Sequence, residues 1–90
     1  MRTEFAKPFE KDVDKIVDPA LIDDIEQVIR NVENAQTITG IHELRKLVGY
    51  KQGKFYRIRV GSYRLGITIV GNLVTFARCL PRNIFYRKFP

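Results

Sequence analysis

The chain has one cysteine (Cys79), one histidine (His42) and one serine (Ser62) in 90 residues. A lone cysteine excludes an internal disulfide and a multi-cysteine metal site. In an apolar stretch, Cys79 reads as an inert buried side chain. A single histidine in a glycine-punctuated linker is a poor metal ligand, and a Ser-His-Asp triad would need His42 to meet Ser62. No apolar run reaches the length of a membrane-spanning helix, and the first residues lack the apolar stretch of a signal peptide. These absences predict a small cytoplasmic protein with no cofactor, no metal and no membrane partner. The length predicts one domain over 1–90, and a hydrophobic content of 44% suits a globular chain.

A further absence is positional. All ten acidic residues lie in the first 50 positions, so residues 51–90 hold nine basic residues and no acid. The first 50 positions, with seven basic residues, carry −3, and the last 40 carry +9, within a chain of net charge +6. A surface made only for solubility would mix signs. Like charges crowded into one folded half repel one another, which points to an acidic partner, either a nucleic acid or an acidic protein. The same half has no paired carboxylates for glycosidase-type hydrolysis. Its GSYRLG run joins two strands and does not open a helix, so it is no phosphate loop.

The hydrophobic pattern sets the order of elements. Residues 1–6 predict a short strand. From Pro8, Phe9, Val13, Ile16 and Val17 make the apolar stripe of a first helix. Asp18 and Pro19 cap and begin a second, whose face is Leu21, Ile22, Ile25, Val28, Ile29 and Val32, fading near Asn34. The two are expected to form a helical hairpin. Residues 36–54, with Gly40, Gly49 and Gly53, read as a linker in which Leu44, Leu47 and Val48 tuck one turn against the core. From Phe55 the period becomes two: Tyr56, Ile58 and Val60 alternate with Arg57 and Arg59. Gly61-Ser62 makes a hairpin turn with glycine first. Tyr63, Leu65, Ile67 and Ile69 follow, then a Gly71-Asn72 turn. A third strand runs over 73–80 with both of its faces apolar, and a tail follows Pro81. The fold class is α+β, an antiparallel β-α-α-β-β-β arrangement with the helices on one face of the sheet.

Covering one face with helices buries Tyr56, Ile58, Val60, Leu65 and Ile67. Alternation then gathers Arg57, Arg59 and Arg64 on the opposite face. Spacing alone fits a solvated outer face as well as a site. The missing acids tip the balance toward a site. Arginines grip phosphate through paired hydrogen bonds, and tyrosine stacks on bases. Such a set suits a phosphorane-like transition state, or simply a held RNA or DNA strand. Lys51, Lys54, Arg78, Arg87 and Lys88 are further candidates for nucleic-acid contact.

The run FYRIRVGSYRLGI, with KLVGYKQGK before it and RNIFYRKFP at the end, resembles the RelE/ParE superfamily of toxins from toxin–antitoxin pairs. The resemblance covers nearly the whole chain. It implies a cognate antitoxin that masks the basic face. Operator DNA would be bound only through that complex. On the RelE side it implies a ribosome-dependent mRNA endonuclease in which the 2′-hydroxyl attacks the adjacent phosphate. By motif position, Arg57 and Arg59 match the paired basic positions, Arg64 the arginine on the scissile phosphate, and Arg82 and Tyr86 the C-terminal pair. Arginine is a poorer general base than the lysines common at the first two positions. Many relatives carry a histidine where Pro81 stands, and proline can neither titrate nor donate a hydrogen bond. The resemblance leaves two other readings: a ParE-like gyrase poison without RNase activity, and a weakened toxin that mainly binds its antitoxin.

Overall fold

A computed structural model describes residues 1–50 and 53–90. In chain order it has β1 (Arg2–Phe5), α1 (Lys7–Asp14), α2 (Pro19–Asn34), a 3₁₀ turn (Ile38–Gly40), β2 (Leu44–Lys46), β3 (Phe55–Val60), β4 (Tyr63–Val70), β5 (Leu73–Pro81) and α3 (Arg82–Lys88). The start of α2 is the one the sequence predicts. The Asp18 carboxylate accepts from the Ala20 amide at 3.0 Å, and Pro19 takes the first helical position. Gly61 and Gly71 hold positive φ angles of 57° and 58°, which lets the two hairpin turns close tightly.

The α+β class and the placing of α1 and α2 agree with the sequence reading, and the sheet is richer than expected. Five strands lie in the order β1-β5-β4-β3-β2. Neighbours from β2 to β5 run antiparallel, but β1 lies parallel to β5, so the sheet is mixed. No tight turn joins β1 to β5, so nothing local dictates their relative direction. The stretch read as a linker contributes β2, whose three residues pair with β3. Three residues are too few to show a period. Helix α1 ends at Asp14, so Val17 leaves the apolar stripe and is 92% exposed. Val48, expected to tuck inward, is also exposed.

The main core lies between the sheet and the helices. Ile25 and Val32 of α2 and Phe9 of α1 meet Ile58, Leu65, Ile67, Val74 and Phe76, while Tyr56, Val28 and Ile29 pack at its margin. The ambiguous facing of β5 has a physical cause. Gly66 pairs with Arg78 but Ile67 pairs with Phe76, so Ala77 is an extra residue, a β-bulge. The bulge changes the alternation, placing Val74, Phe76 and Cys79 in the main core and Leu80 in a second cluster. That second cluster, Leu80 with Phe85 and Phe89, holds α3 against the other face. The tail after Pro81 is therefore a helix packed on part of the face expected to be open.

Asp12 of α1 secures the bulge. Its carboxylate accepts from Arg78 at 2.7 and 3.0 Å and from the Cys79 backbone amide at 3.0 Å. The paired residues of β1 and β5 end at Phe5 and Phe76, so Asp12 supplies an acceptor beyond the end of the ladder. Burial works against the Asp12 charge, but the Arg78 hydrogen bonds, the Cys79 amide and the Arg78 charge outweigh it and hold the carboxyl below its usual range. A lowered carboxyl pKa stabilises the fold fully above the unfolded value, about 3.9, and that stability is lost as pH falls through the lower folded value. Asp12→Asn is expected to cost about 2 kcal/mol, a fall of roughly 10 °C in melting temperature, and to flatten the acid limb of a stability–pH curve. Thermal melts of both proteins from pH 7 down to pH 2 check this. Burial, with the Asp12 charge second, pushes the Cys79 thiol up to about 12. At neutral pH the folded protein should leave Cys79 unmodified by a thiol reagent, and the denatured chain should react fully.

Candidate functional site

The β3–β4 turn organises the opposite face. Arg59 and Arg64 are direct cross-strand partners, and Arg57 sits opposite Gly66 one step further along the same face. Arg64 is only 5% exposed. Its Nη1 donates to the Gly61 carbonyl at 3.1 Å and to the Tyr63 carbonyl at 2.9 Å. Held by two carbonyls of its own turn, the guanidinium has one preferred orientation. Desolvation, then the charges of Arg59 and Arg57, push its pKa down. An arginine starts so high that it stays charged near neutrality.

Helix α3 brings the remaining members. The Arg82 amide donates to the Ser62 carbonyl at 2.8 Å, which ties the first residue of α3 to the same turn. Arg82 and Tyr86 are four residues apart and so share one helical face. Together Arg59, Gly61, Arg64, Arg82 and Tyr86 line an open cavity of about 470 Å³ that contains no carboxylate. Tyr86 is 57% exposed and rests edge-on against Phe85, with ring centres 4.9 Å apart. The Tyr86 ring is thus braced by Phe85 of the second core cluster while more than half of the residue stays exposed.

Four of the five residues carried over from the resemblance therefore line one cavity. Arg57 does not line it; it is half-buried, opposite Gly66, and acts on Arg64 through its charge. Pro81 ends β5 and precedes α3, and it lies beside Ser62, Arg82 and Asn83, outside the arginine cavity. Of the residues proposed as auxiliary contacts, the four that are described are scattered. Arg78 is committed to Asp12, at 2.7 Å, beside the bulge. Lys54 lies over the Phe55 ring at 5.5 Å. Arg87 and Lys88 are exposed in the last turn of α3, off the Arg82–Tyr86 face. Lys51 falls outside the described residues. One basic residue escaped the sequence reading: Arg45 of β2 pairs with Arg57 across the strands and extends the arginine row. Its only signal was membership of a strand that the pattern did not reveal.

Gly66 sets how closely α3 sits. A Cβ at this position would lie 2.7 Å from two carbon atoms of the Phe89 ring. Phe89 thus packs directly on the backbone of β4, and with Phe85 it clamps the helix that carries Arg82 and Tyr86. Gly66→Ala is expected to destabilise by about 1–3 kcal/mol through overpacking. It should also shift the amide signals of 82–86 in an NMR spectrum more than those of α2, because the displaced ring belongs to the α3 clamp.

Comparison with known proteins gives a consistent result. Toxin RelE3 of Methanocaldococcus jannaschii is 36% identical over 91 residues, with both chains covered in full. Among solved structures, the RelB-RelE antitoxin-toxin complex from Methanococcus jannaschii matches with a TM-score of 0.79 and 33% identity over 97% of this chain and 99% of that one. The YoeB dimer from Staphylococcus aureus matches in fold, with a TM-score of 0.70 and 19% identity over 89% of this chain and 94% of that one. No family model matches the chain.

Proposed function

The chain belongs to the RelE family of toxins from toxin–antitoxin pairs, and on that premise we propose that it cleaves mRNA on the ribosome by an internal 2′-hydroxyl attack. The observation that carries this reading is the single cavity shared by Arg59, Arg64, Arg82 and Tyr86 without a carboxylate. A phosphodiester entering it meets Arg64, already oriented by the turn carbonyls, and Arg59 across the strand. In the reaction the 2′-oxygen forms a bond to phosphorus and the bond to the 5′-oxygen breaks. This leaves a cyclic phosphate and a free 5′-hydroxyl. Negative charge grows on the non-bridging oxygens of the transition state, where fixed guanidinium donors stabilise it.

The proton balance is the harder half. The 2′-hydroxyl must lose a proton and the 5′-oxygen must gain one. Arginine is a poor base, and Pro81 removes the histidine found in many relatives. Tyr86 brings a hydroxyl and an aromatic ring to the cavity, so it either exchanges a proton or stacks on a base to align the attack. The basic face also fits an acidic antitoxin segment, in keeping with the partner of the RelB-RelE complex.

Cleavage of mRNA in a translating extract, mapped by sequencing of 5′ ends, tests the reading. Arg64→Ala should lower the cleavage rate by about 100-fold or more. Tyr86→Phe keeps the stacking ring and loses the hydroxyl. A large loss in that variant assigns Tyr86 to proton transfer, and near-native activity assigns it to stacking. Intact messages during growth arrest, with cleaved DNA trapped on gyrase, would replace this reading with the ParE-like one.

A further inference from the structure

Arg59 lines a second cavity as well. This one, about 440 Å³, lies between α2 and the loop that precedes β2. β2 pairs with β3 only as far as Leu44 and Ile58, so Arg59 stands at an uncovered sheet edge with a cavity on either side. Val28 and Ile58 give the second cavity an apolar part, and Gln27, Asn34, His42 and Glu43 give it a polar one, with Arg30 at its rim paired to Glu26 at 3.2 Å.

The loop here is built to a fixed shape. The Asn31 side chain donates to the Gly40 carbonyl at 3.3 Å, and its oxygen accepts from the His42 amide at 3.0 Å. Glu43 is the one non-glycine residue with positive φ among the described residues, at 62°. That conformation is disfavoured for a residue with a Cβ, and such residues cluster at ligand sites. Glu43 also makes no ion pair among the described residues, although Arg59 lines the same cavity.

The Glu43 carboxylate repels phosphate, Arg30 already holds Glu26, and Arg59 is shared with the first cavity, so the second cavity does not extend the phosphate site. It suits a neutral group with N–H donors and a flat apolar face, which is what an unpaired nucleobase presents. Resting on the mRNA-cleavage reading above, we propose that this cavity receives the base of a nucleotide adjoining the phosphate held by Arg59 and Arg64. Glu43, helped by the Gln27 and Asn34 amides, reads the edge of that base. A base with an exocyclic amino group donates to the carboxylate, whereas the N3–H of uracil lies between two carbonyl oxygens that a carboxylate repels, so guanine, adenine and cytosine are favoured over uracil. Arg59 links the two cavities and places the base relative to the scissile phosphate.

Binding of 2′-O-methyl RNA heptamers, which cannot undergo 2′-hydroxyl attack, tests this without relying on cleavage. Fluorescence anisotropy at constant salt compares all four bases at each position in turn. At one position, amino-bearing bases should bind about tenfold tighter than uracil. Glu43→Gln and the double variant Gln27→Ala/Asn34→Ala should shrink that ratio to about twofold or less. These side chains are exposed, so the fold should survive, which melting curves check. Arg64→Ala should weaken all heptamers alike and leave the ratio intact. No base preference at any position, or a preference that survives both cavity variants, overturns the proposal. Unchanged RNA binding with weakened antitoxin binding in those variants also overturns it and assigns the cavity to the antitoxin. Arg64→Ala binding as tightly as the parent counts against the phosphate site alone, so the two readings fail separately.

Discussion

Arg59 and Arg64 face each other across β3 and β4, with no carboxylate in the cavity they share. Like charges placed directly opposite on a sheet destabilise it. The carbonyl groups of the β3–β4 turn offset part of that repulsion by holding Arg64 through two hydrogen bonds. The arrangement keeps donors fixed and charge uncompensated, which is the condition for strong binding of an incoming anion. A carboxylate neighbour would steady the arginines but would also occupy the donors that a phosphate needs.

The other parts of the fold serve this constraint. The turn that orients Arg64 also anchors the start of α3 through the Ser62 carbonyl. The spacing of Arg82 and Tyr86 then aims both at the same cavity. Two aromatic residues, Phe85 and Phe89, press α3 onto the sheet, and Gly66 removes the side chain that would keep Phe89 away. Burying a pair of phenylalanines contributes several kcal/mol, of the order needed to hold a seven-residue helix that would not be stable alone.

Basic residues in this chain divide by partner. Arg78 has the same charge as Arg64 and lies in the same acid-free half of the sequence, yet it serves structure. The fold brings Asp12, 66 residues away, to meet it at the bulge. There the carboxylate satisfies both a guanidinium and a backbone amide that would otherwise be buried without a partner. The charge count of the last 40 residues therefore overstates the positive charge that is left uncompensated by a carboxylate. What matters is which guanidinium groups are left without a carboxylate after folding.

Local patterning determined a good deal. Alternation over 55–70 placed Arg57, Arg59 and Arg64 on one face, because side chains on a strand alternate whatever the rest of the chain does. Asp18-Pro19 and the two glycine turns followed from backbone sterics for the same local reason. Motif resemblance led to Arg82 and Tyr86, which no periodicity singled out. Tertiary structure alone decided what depends on distant partners. The short β2, and with it Arg45, exists only because β3 offers a free edge. The parallel pairing of β1 and the bulge at Ala77 depend on contacts between opposite ends of the chain. The pairing of Arg78 with Asp12, and the second cavity beside Arg59, arise where α1 and α2 meet the sheet. No local rule relates charges that far apart in sequence, so only the folded chain could sort the arginines that share the carboxylate-free cavity from the arginine that braces the bulge.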